Sequence, residues 1–315
     1  MLTKIAIAAP LVLALSVAAA SAQTFPGNRA AGMAGAFVAV ADDATAVFWN
    51  PAGVASGSIV SAVVDIGAAR LPIDGPQAQS MQRDTTAFVG LAATALGAAY
   101  YRRGTYGSVT VEPAVTGPQS REDLRRSVQA VTTSTAGVSL VHSLHEHLVI
   151  GATPKFVHGA EGYTVDVDAG AMWWIDRVRV GVVARNLTRP SFAKGTAGRS
   201  QSDEIELDRE VTVGAAWGSG WTGISRVIVS VDADVTSRAA LSGDRRDVAA
   251  GVETWWRGQR LGLRGGLRRS TIGDARAAFA AGISAGLRPG MLLEAHVMRG
   301  DSDARSWGVG ARMSF

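Results

Sequence analysis

The sequence predicts an all-β protein: a transmembrane antiparallel β-barrel of about fourteen strands, preceded by an N-terminal segment that does not follow the strand pattern. Three observations lead there. Apolar and polar residues alternate along stretch after stretch, the period of a strand with two unlike faces. The links between these stretches alternate between long and short, as in barrels with tight turns at one rim and longer loops at the other. Trp and Arg residues gather at opposite ends of the stretches.

Residues 1–22 come first. Lys4 supplies a basic start, residues 5–20 are apolar, and Ala20-Ser21-Ala22 has the small-x-small pattern of a cleavage site. The expectation is a secretory signal peptide, with Pro10 arguing against a permanent spanning helix. Beyond it, the best helical candidate is TTAFVGLAATALGAAYY at 85–101. It falls short of the roughly 20 residues a spanning helix needs, so strands are the better reading.

Residues 23–57 alternate poorly. They form an Ala/Gly-rich apolar stretch with an Asp42-Asp43 pair, followed by Phe48-Trp49-Asn50-Pro51-Ala52-Gly53. Roughly 35 residues cannot bury a core of their own. A compact pre-domain, an extra strand pair or a plug packed in the barrel mouth are all compatible with the pattern.

The barrel is expected over 58–315, with strands centred near 63, 88, 98, 134, 152, 169, 182, 213, 230, 252, 264, 281, 295 and 310. In the last of them Trp307, Val309, Ala311, Met313 and Phe315 share one face, while Ser306, Gly308, Gly310, Arg312 and Ser314 share the other. Long polar links are read at 70–84, 103–121, 188–208 and 236–246, and tight ones at 145–147, 176–177, 258–259 and 288–290. With both chain ends at the tight-turn rim, every long link falls on the outside of a Gram-negative outer membrane. Trp173-Trp174, Trp217, Trp221 and Trp255-Trp256 sit toward the tight turns, where indoles favour a membrane interface. Arg102-Arg103, Arg125-Arg126, Arg245-Arg246 and Arg268-Arg269 sit toward the long loops, where guanidinium groups would meet outer-membrane lipid and lipopolysaccharide phosphates. The terminal Phe315 fits a signal for the barrel-assembly machinery.

The positions read as inward include Lys155, Asp166, Asp168, Arg179, Arg185, Asp232, Asp234, Glu253, Arg264, Arg268, Glu294, His296 and Arg312. Both signs of charge are present, so ion pairs or a wet channel are expected rather than a uniformly apolar tunnel.

The stretch from Arg29 to Asp43, followed by Phe48-Trp49-Asn50-Pro51-Ala52-Gly53, resembles the N-terminal hatch of the long-chain fatty acid transporter (FadL-type) family of outer-membrane barrels. It is closest to the shorter, PorV-like branch, which Asp168-Ala169-Gly170-Ala171 and Val183-Ala184-Arg185-Asn186-Leu187 also resemble. The resemblance implies a fourteen-stranded barrel closed by its hatch, with Asn50, Pro51, Ala52 and Gly53 as the hatch motif. It implies transport of a hydrophobic, fatty-acid-like small molecule, or else a docking barrel whose partners are proteins of an export system. The long external loops that build a capture groove in the classical transporter have no counterpart here. Met33, Phe37, Phe48 and Trp49 would be contacts between the hatch and a ligand, or would simply pack the hatch against the wall. Asp42 and Asp43 would hold the hatch by pairing with Arg179, Arg185 or Arg264.

Other chemistry finds little support. With no Cys, neither a disulfide scaffold nor a thiolate metal site can form. His142 lies close by in sequence, and His145 and His147, two apart, would share a face at a tight turn, but a third and fourth ligand are not evident, so no metal is expected. No nucleophile–base set stands out, and no catalytic residue or cofactor is expected. The Gly-rich run 262–266 alternates with strand residues and opens no helix, which argues against a phosphate loop. A net charge of +4 over 315 residues, with no interleaving of aromatic and basic residues, argues against nucleic acid.

Overall fold

The structure, a computed structural model, describes residues 25–73, 80–108, 128–159, 162–193, 204–222, 225–238, 244–273, 276–301 and 303–315. The expected signal peptide and the Arg125-Arg126 doublet lie outside these residues. The described chain begins with two short helices, α1 (Asn28–Gly32) and α2 (Ala46–Trp49), and a 3-10 helix, Pro51–Ser56. Strands β1 (Val60–Ile73), β2 (Ser80–Ala93), β3 (Leu96–Ser108), β4 (Val128–His145), β5 (Leu148–Gly159), β6 (Gly162–Ile175) and β7 (Val178–Arg185) follow. Two three-residue strands, β8 (Ser191–Ala193) and β9 (Glu204–Glu206), pair with each other in the next link. The series then continues with β10 (Glu210–Thr222), β11 (Ser225–Asp234), β12 (Asp247–Trp256), β13 (Leu261–Ser270), β14 (Ala277–Arg288), β15 (Met291–Gly300) and β16 (Arg305–Ser314).

Leaving out β8 and β9, each strand pairs antiparallel with its neighbours in sequence, and β16 closes on β1 to give a barrel of fourteen strands. Each strand centre read from the sequence falls inside one of them. Closure runs from Ser61 opposite Ser314 to Arg70 opposite Arg305. Phe315 and Val60 exchange backbone hydrogen bonds of 2.9 and 3.1 Å.

Alternation sorts the two faces. In β12, Asp247, Ala249, Gly251, Glu253 and Trp255 point inward, while Val248, Ala250 and Val252 point outward. Across the barrel the outward face carries exposed Val64, Ile66, Leu91, Val138, Phe156, Val229, Ile283 and Val297. An apolar exterior on an edgeless closed sheet is the one way strands can span a bilayer with every backbone group satisfied.

One rim has only short links, including 94–95, 146–147, 176–177 and 289–290, and the other holds the long ones. The long-loop rim has two exceptions: β5 and β6 are joined through 160–161 alone, and β15 and β16 through 301–304. The β4–β5 ladder also skips a step. Gly137 faces Lys155 and Leu140 faces Ala152, but no pair forms at Pro154, whose nitrogen has no hydrogen to donate.

The tryptophan belt differs from expectation for a geometric reason. Neighbours along a strand face opposite ways, so a Trp-Trp doublet can offer only one ring to lipid. Trp173 and Trp217 are outward and exposed, whereas Trp255 is 4% exposed and faces the lumen. Trp174 is half-buried against the cluster around Ala52. The side chain of Trp221 lies outside the described residues. The arginine doublets split in the same way, with Arg102, Arg246 and Arg269 exposed while Arg245 and Arg268 are buried.

Candidate functional site

Residues 25–57 lie inside the barrel, and most are fully buried although the segment has little regular structure. Their apolar side chains form the interior core. Phe25, Phe37 and Phe48 each meet Trp49 with ring centroids 5.4–5.9 Å apart. The wall contributes Val63, Phe88, Ile228 and Met298 to the same cluster. This resolves the short-segment problem: the segment borrows the inner wall as the other half of its core.

The Asn50-Pro51-Ala52-Gly53 motif sets the segment's path. Asn50 has extended backbone and caps the 3-10 helix, its Oδ1 accepting from the Ala52 N–H at 3.2 Å, with Pro51 at the first helical position. Its Nδ2 donates to the Val38 carbonyl (3.0 Å) and to the Ala171 carbonyl on β6 (3.2 Å). The motif lies so close to the wall that a Cβ on Gly170 would sit 2.1 Å from the Asn50 Oδ1. One on Gly151 would sit 2.6 Å from the Ala52 nitrogen. Gly53 packs edge-on against the Ala41 carbonyl.

Charge ties the segment down at Arg29. Its Nε and Nη2 donate to the two carboxylate oxygens of Glu253 at 2.7 and 2.6 Å. Its Nη1 donates to Asp42 and, at 3.3 Å, to Asp43. Glu253 is fully buried and also accepts from Arg264 at 2.7 Å. Arg264 and Arg312 both reach Glu294, at 3.2 and 3.1 Å. The result is one buried chain of alternating charge running from the segment through residues of four strands, β12, β13, β15 and β16. Burial alone would raise the Asp42 carboxyl, but Arg29 and Arg179 together hold it below the usual carboxylate range.

Two further anchors are polar. The Asp232 carboxylate accepts the Phe37 and Val38 N–H groups at 2.7 Å each. The Asn28 amide donates to Asp65, and its Oδ1 lies 2.7 Å from the His296 Nδ1.

The residues picked out in the sequence divide as follows. Asp42 meets Arg179 at 3.6 Å. Asp43 binds Arg29 of its own segment, and Arg264 is engaged by Glu253 and Glu294, so Asp43 reaches the wall only through Arg29. Arg185 pairs with Glu210 at 3.3 Å and lies over the rings of Phe48 and Trp49, 5.0 and 5.9 Å from their centroids. Met33 and Phe37 are fully buried, with Met33 pressed against Gly251 and Gly266. Phe48 is partly buried and Trp49 is buried, yet both line a cavity. Asn28, Arg29 and Asp65 were not singled out as contacts. A cation and an amide ahead of an apolar run were the available signal.

Open space flanks the segment on both sides. Toward the long loops lies a vestibule of about 230 Å³, floored by Phe25, Phe48 and Trp49 with Tyr101 in its wall. Most of its charged wall residues are paired. Lys155 sits 2.7 Å from Asp168 and 3.0 Å from Asp166, and Arg238 and Arg268 each lie 2.8 Å from Asp247. The Asp168 carboxylate also accepts the N–H of Asn186, which ends β7 in the left-handed region with φ 55°. Toward the short turns lies a cavity of about 170 Å³. Outside the barrel, over β4–β7, is an apolar hollow of about 570 Å³ lined by Leu140, Ile150, Ala152, Ala169 and Val182. Among the described residues no three His or acidic groups come together as a metal site.

Comparison with known proteins supports the architecture. The chain is similar to the solved structure of the toluene transporter TbuX of Ralstonia pickettii, with a TM-score of 0.62 and 10% identity over 92% of this chain and 98% of that one. The CymD monoaromatic hydrocarbon channel has a TM-score of 0.60 at 11% identity, covering 92% of this chain and 97% of that one. A deletion mutant of the TodX monoaromatic hydrocarbon channel has 0.54 at 11%, covering 86% and 94%. At such identities the likeness is one of fold. A family model described as "F plasmid transfer operon, TraF, protein" matches residues 159–234, from the end of β5 through β11. No curated protein sequence matches the chain.

Proposed function

We propose that this chain is an outer-membrane channel for small hydrophobic molecules, fatty-acid-like in character, in which residues 25–57 act as a movable hatch. The observation that carries the reading is how the segment is held. It fills the lumen, yet many of its ties are polar contacts that rearrangement can exchange, and open space adjoins it on both sides. An aromatic floor of Phe25, Phe48 and Trp49 faces the vestibule, suiting a molecule with an apolar body. The skipped step at Pro154 lies beside the outer apolar hollow, a weak place in the wall next to lipid.

The test is uptake. Cells carrying the full chain in their outer membrane are given radiolabelled oleate and toluene, and are compared with cells in which Asn50-Pro51-Ala52 is replaced by Gly-Ser-Gly. Uptake of either compound that depends on the chain and changes with the motif, at equal barrel levels, supports the channel. Uptake indifferent to the chain refutes it.

A second reading, a PorV-like docking barrel serving protein export, is favoured by one observation: the match of 159–234 to a transfer-operon protein. Mass spectrometry of the barrel gently extracted from native membrane separates the two. A bound apolar molecule favours the channel, and a stoichiometric protein with an empty lumen favours docking.

A further inference from the structure

The cavity at the short-turn mouth has an imbalance that the rest of the lumen lacks. Elsewhere inside the barrel Arg29, Arg185, Arg238, Arg264, Arg268 and Arg312 each meet a carboxylate at 2.6–3.3 Å. Here three guanidinium groups, Arg177 on the β6–β7 turn, Arg179 on β7 and Arg226 on β11, line one cavity of about 170 Å³ with a single carboxylate, Asp176. The side chains of Arg177 and Arg226 form no hydrogen bond or ion pair among the described residues. Arg179 has one partner, Asp42, at 3.6 Å, the longest of the segment's ionic ties to the barrel wall. Unpaired guanidinium groups gathered in a concavity attract an anion and present forked donors to it.

The other walls are apolar. Val40 and Ala39 of the lumenal segment line it together with Ala216 of β10 and Ile228 of β11. The volume corresponds to about six water molecules at liquid density, enough for a carboxylate on a small ring or short chain.

We propose that this cavity is a binding site for a small amphipathic carboxylate, held by Arg226, Arg177 and Arg179. The bound anion competes with Asp42 for Arg179 and so loosens the lumenal segment from the short-turn side. The binding half stands on the cavity alone, while the loosening half rests on the movable-hatch reading. The direction of control is therefore from the short-turn compartment: an anion accumulating there acts back on the segment that closes the lumen.

Benzoate titrated calorimetrically into the full chain in detergent micelles tests binding, with benzyl alcohol as the uncharged control. Saturable binding of about one benzoate per barrel is expected, with none of benzyl alcohol. Arg226→Gln should weaken it about tenfold, and Arg226→Lys should weaken it less. Asp42→Asn should tighten it, because the competing carboxylate is gone, and a purely structural role for Arg179 would not produce that gain. Absence of saturable binding, or equal affinity in the wild type, Arg226→Gln and Arg179→Gln, overturns the site. In planar bilayers, benzoate on the short-turn side should raise channel opening. If the calorimetry shows the site but conductance does not respond, the loosening half is wrong and the site remains.

Discussion

Arg29→Met is the most informative perturbation of the lumenal segment. In the native chain the Arg29 side chain donates to both oxygens of a fully buried Glu253 and to the Asp42-Asp43 pair. Removing it leaves Glu253 with Arg264 as its remaining ionic partner, and Asp42 with Arg179 at 3.6 Å. Breaking one side of a buried pair costs about 3–5 kcal/mol, because the partner charges stay buried with part of their compensation gone. The wall's own ladders are untouched, so that cost falls on the docking of the segment rather than on the barrel. At about 1.4 kcal/mol per factor of ten, the population of the undocked segment rises about a hundred- to a few-thousandfold. Single-channel recording in planar bilayers reads this as open probability, and heat-modifiable migration on gels checks that the barrel is intact. The companion variant Arg29→Met with Glu253→Met should restore much of the closed state, since well-packed apolar replacements of buried pairs are often neutral or better. An intact Arg29→Met barrel that opens no more often than the wild type would refute the reasoning, as would a double variant more open than the single one.

Other expectations follow from the same geometry. Asn50→Asp keeps the capping oxygen but loses the donor to the Val38 and Ala171 carbonyls, so it should open the lumen more than its conservative size suggests; proteolysis of the segment in micelles reads the difference. Gly170→Val places a side chain where the Asn50 amide now sits, and should displace the motif while barrel insertion, followed by gel migration, stays normal. A cysteine at Thr188 should react with an impermeant maleimide on whole cells, while one at Asp176 or Gly258 should react only after the outer membrane is breached; the reverse pattern would invert the assigned orientation.

The strands were legible because the barrel imposes one rule on every residue of the wall. Alternation made Lys155, Asp166, Glu253, Arg264 and Arg312 recognisable as inward, and each points into the lumen. What alternation also dictates, but was harder to see, is the splitting of doublets. The sequence presents Trp255 and Trp256 as one belt element, whereas Trp255 lies under the guanidinium groups of Arg264 and Arg312, 5.0 and 5.4 Å from its ring centroid. The interior segment was less legible because it has no period. Its contacts join residues far apart in sequence, such as Arg29 with Glu253 and Phe37 with Asp232, and local spacing carries no trace of them. The glycines were an intermediate case: their inward positions showed in the alternation, but not which part of residues 25–57 each one admits.

The seam between β1 and β16 has a bearing on the order of events in assembly. The segment that occupies the lumen immediately precedes β1, and β1 is sealed by the last strand through Val60 and Phe315. Once that seam has zipped, the interior is ringed on every side, and a chain entering afterwards would have to be threaded, which folded proteins avoid. The wall would meanwhile hold Asp232 facing a void without the N–H groups that bond it, and Glu253 with Arg264 but without Arg29. Residues 25–57 must therefore be in place before β16 arrives, so this segment serves as the form around which the sheet is curled, and Phe315 is the clasp that fastens it.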